Sequence, residues 1–194
     1  MIRIRRSRES VAPALWTLLP ILGSPLAHAP VLRFDLLRSL KRPIDGGRTL
    51  GGTRLFGDNK TWRGALVMTA GVEAATLALH RSAAYRRRLP AGVRDASPAL
   101  VGALLGIATV AGELPNSFAK RRLGVAPGRH RGGAAGVALA IVDQADFVLA
   151  AWLLLAPVHR MSVREAAAAF ATVAAVHVPI NLVGYADGAR DTPI

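Results

Sequence analysis

"AAGVALAIVDQADFVLAAWLLLAPV", residues 134–158, is an apolar run of bilayer length with two carboxylates, Asp143 and Asp146, near its middle. A helix needs about 20 mostly apolar residues to cross a bilayer, and this run supplies them. Charges inside such a span are costly and ordinarily line a bundle interior, a cavity or a functional site. Three residues apart, the two acids share one helical face. Adjacent carboxylates in apolar surroundings repel unless a cation sits between them or one is protonated. Packing alone gives no reason to keep both.

Four more apolar blocks surround this one, at 11–32, 64–80, 97–117 and 162–185. Each is interrupted by a polar residue or a proline: Pro20 and Pro25 in the first, Glu73 in the second, Glu113 and Pro115 in the third, and His177, Pro179 and Asn181 in the last. The chain is 52% hydrophobic with only 5% aromatics and a positive mean hydropathy. Together these features predict an all-α, polytopic integral membrane protein with about five transmembrane helices, one membrane-embedded domain over 1–194. The basic start "MIRIRRSR" precedes an apolar stretch without a small-residue cleavage site and with further spans behind it, so we read a retained first helix. Glu73 has no visible partner and reads as a helix-packing polar group.

A formal charge of +13 would point to nucleic acid in a soluble protein, but here the basic residues lie between apolar blocks. They suit an anionic membrane surface or a phosphate-bearing substrate, and no nucleic-acid partner is expected. The absence of cysteine excludes disulfides, thiolate zinc sites and cysteine nucleophiles. Five spans put the loops 33–63 and 118–133 on one side. Lys and Arg divide 14 against 11 between the two sides, too evenly for the positive-inside rule to fix the orientation.

Further stripes occur. In "AGELPNSFAKRR", Glu113, Asn116, Ser117 and Lys120 fall at i, i+3, i+4 and i+7, a carboxylate, an amide, a hydroxyl and an ammonium on one face as the helix leaves the membrane. In "HVPINLVGY", His177, Asn181 and Tyr185 follow at i+4 steps. Taken alone, Lys120, Arg121 and Arg122 are interfacial anchors and His177 is a packing residue. The paired acids resist such a reading. Oxygen ligands of this kind suit Mg²⁺, which takes one or two carboxylates and leaves other positions to water and phosphates. The loop "IDGGRTLGGTRLFGDNKTWRG" adds glycines that admit an anion close to the backbone, with Lys60, Thr61 and Arg63 able to donate toward phosphate. It contains no Walker A pattern.

Four blocks in order, "PIDGGRTLGGTRLFGDNKTWRG", "NSFAKRRLGVAPG", "DQADFVLAA" and "HVPINLVGY", resemble the CDP-archaeol synthase family, related to the CDP-diacylglycerol synthases (phosphatidate cytidylyltransferases). The resemblance runs over about residues 13–193. It implies a membrane enzyme that uses CTP and Mg²⁺ to turn a membrane lipid phosphate, of archaeol ether type or phosphatidate-like, into a CDP-activated lipid with release of pyrophosphate. It also implies cytoplasmic catalytic loops and residence in the cytoplasmic membrane. Asp143 and Asp146 stand where the wider superfamily has a metal-binding Asp-Arg-x-Asp element, with Gln144 replacing Arg as in the archaeol-type branch. Glu113 stands where the family usually has Asp and completes the expected metal set. Ser117, Lys120 and Arg121 match a Ser-x-x-Lys-Arg element and, with Lys60 and Arg63, are the expected catalytic residues. Asp45, Gly46, Gly57, Asp58, Asn59, Thr61, Asn116, His177 and Asn181 are expected to bind CTP or the lipid phosphate. The "PGRHRGG" segment is longer and more basic than the family pattern and has no assigned role.

Two other classes share some of these residues. A CDP-alcohol phosphotransferase needs further acids after its D-G-x-x-A-R motif, and the "DGAR" at 187–190 has only four residues behind it. A small transporter or ion-coupled carrier would also keep intramembrane acids, but no inverted repeat is visible and the phosphate-suited loops lie outside the spans. The choice of lipid phosphate, and assembly as a homo-oligomer, stay open at this level.

Overall fold

The computed structural model describes residues 11–126 and 133–186. Each of the five apolar blocks is helical. The first is α1 (Ala12–Leu18), a 3₁₀ turn over Leu19–Leu22 and α2 (Gly23–Arg33). Pro20 tightens the join, since a proline removes a helical donor and clashes with the turn before it. After a 3₁₀ turn at Arg38–Leu40 comes a hairpin of β1 (Thr49–Leu50) and β2 (Thr53–Arg54), antiparallel with Leu50 opposite Thr53. The second block is α3 (Trp62–His80). Two short helices, α4 (Ala83–Arg86) and α5 (Ala91–Asp95), lead to α6 (Pro98–Arg122), which holds the third block. α7 (Gly133–Leu154) and α8 (Val163–Ala186) hold the last two.

Among the described residues, two stretches are long and apolar enough to cross a membrane, Ala12–Arg33 and Pro98–Arg122. The core is built from small and medium apolar side chains, with Leu18, Val72, Val101, Leu105 and Val148 from four helices buried together with Leu155 just after α7. Small residues let the helix backbones come close, the packing mode of bundles in lipid. α2 and α3 cross at two glycines: a Cβ on Gly23 would sit 2.3 Å from the carbonyl oxygen of Gly71. α6 and α7 do the same at Gly112, where a Cβ would fall 2.7 Å from Cα of Phe147 and 2.8 Å from the Asp146 carbonyl. Gly112 therefore sets the distance between the two acid-bearing helices, immediately before Glu113.

Candidate active site

The loop before α3 is first of all a self-supporting structure. Its ends are zipped by a Pro43–Thr61 bridge and by bonds from Ile44 N–H to the Lys60 carbonyl (2.8 Å) and from Trp62 N–H to the Arg42 carbonyl (2.9 Å). At its centre the Asp45 carboxylate, wholly buried, accepts from the Gly47 N–H (2.9 Å), the Phe56 N–H (3.0 Å), the Gly57 N–H (3.3 Å) and Arg54 (2.7 Å). Burial pushes this carboxyl up. The Arg54 hydrogen bond and the three backbone donors outweigh it and hold the pKa at about 2. Arg54 also donates to Asp58, and Thr61 caps α3 by accepting from the Gly64 N–H at 3.2 Å.

Arg63 likewise turns away from open space. It is buried and donates to Asp35 (2.7 Å) and to the Leu36 carbonyl (3.1 Å), pinning a turn in which Asp35 and Leu37 both take positive φ. The Arg63 hydrogen bond is the main reason the Asp35 carboxyl lies below its ordinary range. Arg122, expected as an interfacial anchor, instead clamps the hairpin to the end of α6. It donates to the carbonyls of Leu50, Thr53 (2.7 Å) and Arg54 (2.8 Å) and lies over the Phe118 ring.

What faces a cavity is a smaller set. Asn59 and Lys60 line a cavity of about 240 Å³ with His28, Gly64, Glu113 and Leu114, and the Lys60 ammonium bonds the Glu113 carboxylate. One helical turn on, Asn116 and Lys120 both donate to Oδ1 of Asp143, each at 2.7 Å. Asp143 is 42% exposed, whereas Asp146 is 6% exposed and its Oδ2 has no hydrogen-bond partner among the described residues. The amide oxygen of Asn116 is buried and equally unpartnered. His28, Thr109, Glu113, Asp143 and Asp146 line a further space of about 280 Å³. Ser117 and Arg121 are buried beside this stripe, with Nε and one terminal nitrogen of Arg121 unpartnered among the described residues.

Two Lys–carboxylate pairs and one orphaned acid, drawn from two helices and a loop, occur where the first three signature blocks meet. A family model described as "CarS-like: CDP-archaeol synthase" matches residues 13–194. The chain belongs to the CDP-archaeol synthase family. It is 36% identical to the CDP-archaeol synthase of Halobacterium salinarum over 95% of this chain and 97% of that one. It is also 36% identical to that of Halorubrum lacusprofundi, over 94% and 97%. A solved structure described as "Structural insight into an intramembrane enzyme for archaeal membrane lipids biosynthesis" superposes with a TM-score of 0.63 at 26% identity, covering 89% of this chain and 94% of that one. As a member of the CDP-archaeol synthase family the chain is an enzyme of the cytidylyltransferase class, and its apolar helices and this likeness make it a membrane protein.

Within that family frame the expected residues sort by position. Lys60, Asn59, Glu113, Asn116, Lys120, Asp143 and Asp146 line or border the cavities. Asp45, Gly57, Asp58 and Arg63 hold the loop's own shape, Gly46 at φ +59 makes its turn, and Thr61 both caps α3 and lines the Lys60 cavity. The three expected metal ligands do not form a ready-made cluster: among the described residues no three His, Asp or Glu converge on one point, because Glu113 and Asp143 lean on Lys60 and Lys120. α8 carries positions 177 and 181, whose side chains lie outside those described, as do most of "PGRHRGG" and the "DGAR" tail. Sequence reasoning missed His28. A single histidine among prolines and alanines gave no signal, and only the crossing of α2 over α3 brings it beside Gly64 and Glu113.

Proposed function

We propose that the protein transfers the cytidylyl group of CTP to the phosphate of a membrane lipid, of archaeol ether type or phosphatidate-like, and releases pyrophosphate. The observation that carries this reading is the pairing of Lys60 with Glu113 and of Lys120 with Asp143 around Asp146, whose buried Oδ2 lacks a partner among the described residues. Lysines held by carboxylates can trade them for phosphoryl oxygens at little electrostatic cost, since both bonds are charge-assisted.

In the reaction a lipid phosphate oxygen forms a bond to the α-phosphorus of CTP. The bond from that phosphorus to the bridging oxygen breaks, and the electron pair leaves with pyrophosphate. The attacking phosphate is already anionic at neutral pH, so the chain needs to position and neutralise rather than abstract a proton. Lys60 and Asn59 are suited to the triphosphate from the loop side. Lys120 and Arg121 are suited to it from the end of α6, and Ser117 can hydrogen-bond there.

The side chains fit Mg²⁺. Oδ2 of Asp146 and the amide oxygen of Asn116 are hard oxygen donors, both buried and unpartnered among the described residues and both on one cavity wall, with Asp143 beside them. Mg²⁺ favours one or two carboxylates and takes its other positions from water and phosphate. When bound, it would neutralise charge on the transferring and leaving oxygens.

In this reading all five long helices cross the cytoplasmic membrane, with the loop 33–63 and the end of α6 facing the cytoplasm. Arg122 ties those two segments together, which supports their lying on one side. A triphosphate supplied in the cytoplasm does not pass hydrocarbon unaided. The test is pyrophosphate release by purified protein in detergent, which should require CTP, Mg²⁺ and a lipid phosphate together. Solute exchange across vesicles without CTP turnover would favour a carrier and contradict the proposal.

A further inference from the structure

Between α3 and α6 lies a cavity of about 550 Å³ whose lining is apolar apart from Thr69 and Glu73. Glu73 is half-buried, and among the described residues its carboxylate has no hydrogen-bond or ion-pair partner. An unpaired carboxylate on a membrane helix needs a reason. The cavity supplies one through its neighbours: it shares Ile44, Ala65 and Leu114 with the smaller cavity that holds Lys60 and Glu113. One compartment is polar and cationic, the next is apolar, and they adjoin.

We infer that this groove seats one hydrocarbon chain of the lipid phosphate, and that Glu73 closes its inner end and so determines which chain lengths are accepted. The inference rests on the cytidylyltransferase reading, since the lipid phosphate at the polar end of the chain must lie beside the triphosphate that Lys60 holds. Three observations fix the occupant as a lipid chain. The groove is open along its side, where Trp62 (51% exposed), Leu66 (51%) and Ile107 (48%) are half-exposed, so an occupant can enter laterally from the bilayer. Its inner end is bounded, because Gly102 lets α6 touch α3: a Cβ there would lie 3.0 Å from Cα of Glu73. Its length suits a chain, for Glu73 lies eleven residues beyond Trp62, roughly 16 Å along a helix. A methyl terminus that stops short of Glu73 leaves room around the carboxylate for water from the adjoining polar cavity. A longer chain must lie against the carboxylate and strip its water, which apolar groups cannot replace.

Glu73 is thus a specificity-determining residue that touches only the far end of one substrate, with no part at the reacting phosphorus. The test is a series of lipid phosphates of increasing chain length, assayed at saturating CTP with the wild type, Glu73→Leu and Ala70→Phe. In wild type kcat/KM should fall once the chain passes a threshold length. Glu73→Leu should remove that fall, raising the long-to-short ratio on the order of tenfold with the KM for CTP unchanged. Ala70→Phe, which fills the groove midway, should raise the lipid KM for chains that accept its absence and leave CTP untouched. An unchanged ratio in an active Glu73→Leu enzyme, or an unchanged lipid KM in Ala70→Phe, overturns the inference while leaving the cytidylyltransferase reading intact. If wild type turns over no lipid phosphate of any length, that reading falls and this one with it.

Discussion

The loop from 43 to 63 and the face shared by α6 and α7 are similarly rich in charge, and they use it in opposite ways. In the loop both carboxylates are answered from within, Asp45 by Arg54 and three backbone donors and Asp58 by Arg54, while Arg63 pairs with Asp35 just outside it. Lys60 leaves the loop to reach Glu113. On the helices the bonding is incomplete, with Asp143 taking two donors on one oxygen while Asp146 and Asn116 each keep a buried oxygen unpartnered among the described residues. A satisfied network builds a shape, and an unsatisfied one is where a ligand has something to gain. Glycine and charge in a loop therefore say less about chemistry than one orphaned carboxylate in a helix.

That contrast can be broken at either end. The largest effect is expected from Asp143→Asn, which keeps the volume but removes the charge that Lys120 and Asn116 address. Turnover should drop by about 10²–10³-fold with the protein still recovered folded, measured as lipid product per mole of monodisperse enzyme. Activity like wild type would remove Asp143 from the site. Next in size is Lys60→Ala, which takes away one charge-assisted donor proposed for the triphosphate. The KM for CTP should rise on the order of tenfold with little change in that for the lipid, and steady-state titration of each substrate separates the two.

The loop predictions concern stability. Asp45 has its pKa depressed from 3.8 to about 2 on folding, so it stabilises the fold above pH 4, and that contribution is lost as the pH falls from about 4 toward 2. Asp45→Asn should lower the stability at pH 7 by on the order of 1–2 kcal/mol, allowing for solvent screening, and should flatten the acid side of the melting profile. A profile equally steep in the variant would assign the acid sensitivity elsewhere. The smallest effect belongs to Arg122→Met, which frees the hairpin from α6 at a cost of about 1 kcal/mol. Faster amide exchange confined to residues 49–54, with kcat little changed, is the expected signature. A fall in kcat as large as that of the Asp143 variant would mean the clamp is part of the chemistry.

Much of this arrangement was legible beforehand, for a physical reason. A long apolar run bounded by polar segments reads as a helix, so all five blocks could be read directly as helices, and i, i+3 spacing put Asp143 with Asp146 and Glu113 with Asn116 on common faces. Their convergence also followed, since the polar face of one buried helix has few places to turn except that of its neighbour. The roles of Asp45, Thr61 and Arg63 were not legible. A carboxylate that binds a ligand and one that collects its own loop's N–H groups have the same sequence, and only the fold shows Arg54 arriving nine residues later. His28 was invisible for the same reason, because its place depends on where α2 crosses α3 at Gly23 and Gly71.

The central claim is that the stripe performs chemistry and the loop's carboxylate builds structure. The most direct measurement is turnover per folded enzyme for Asp146→Asn and Asp45→Asn side by side, with the folded fraction fixed by thermal melting in the same detergent. Asp146→Asn should melt close to wild type and lose turnover about as far as Asp143→Asn does, while Asp45→Asn should melt lower and keep near-normal turnover among the molecules that remain folded. The reverse pattern, an active Asp146→Asn and a folded but inactive Asp45→Asn, would contradict it.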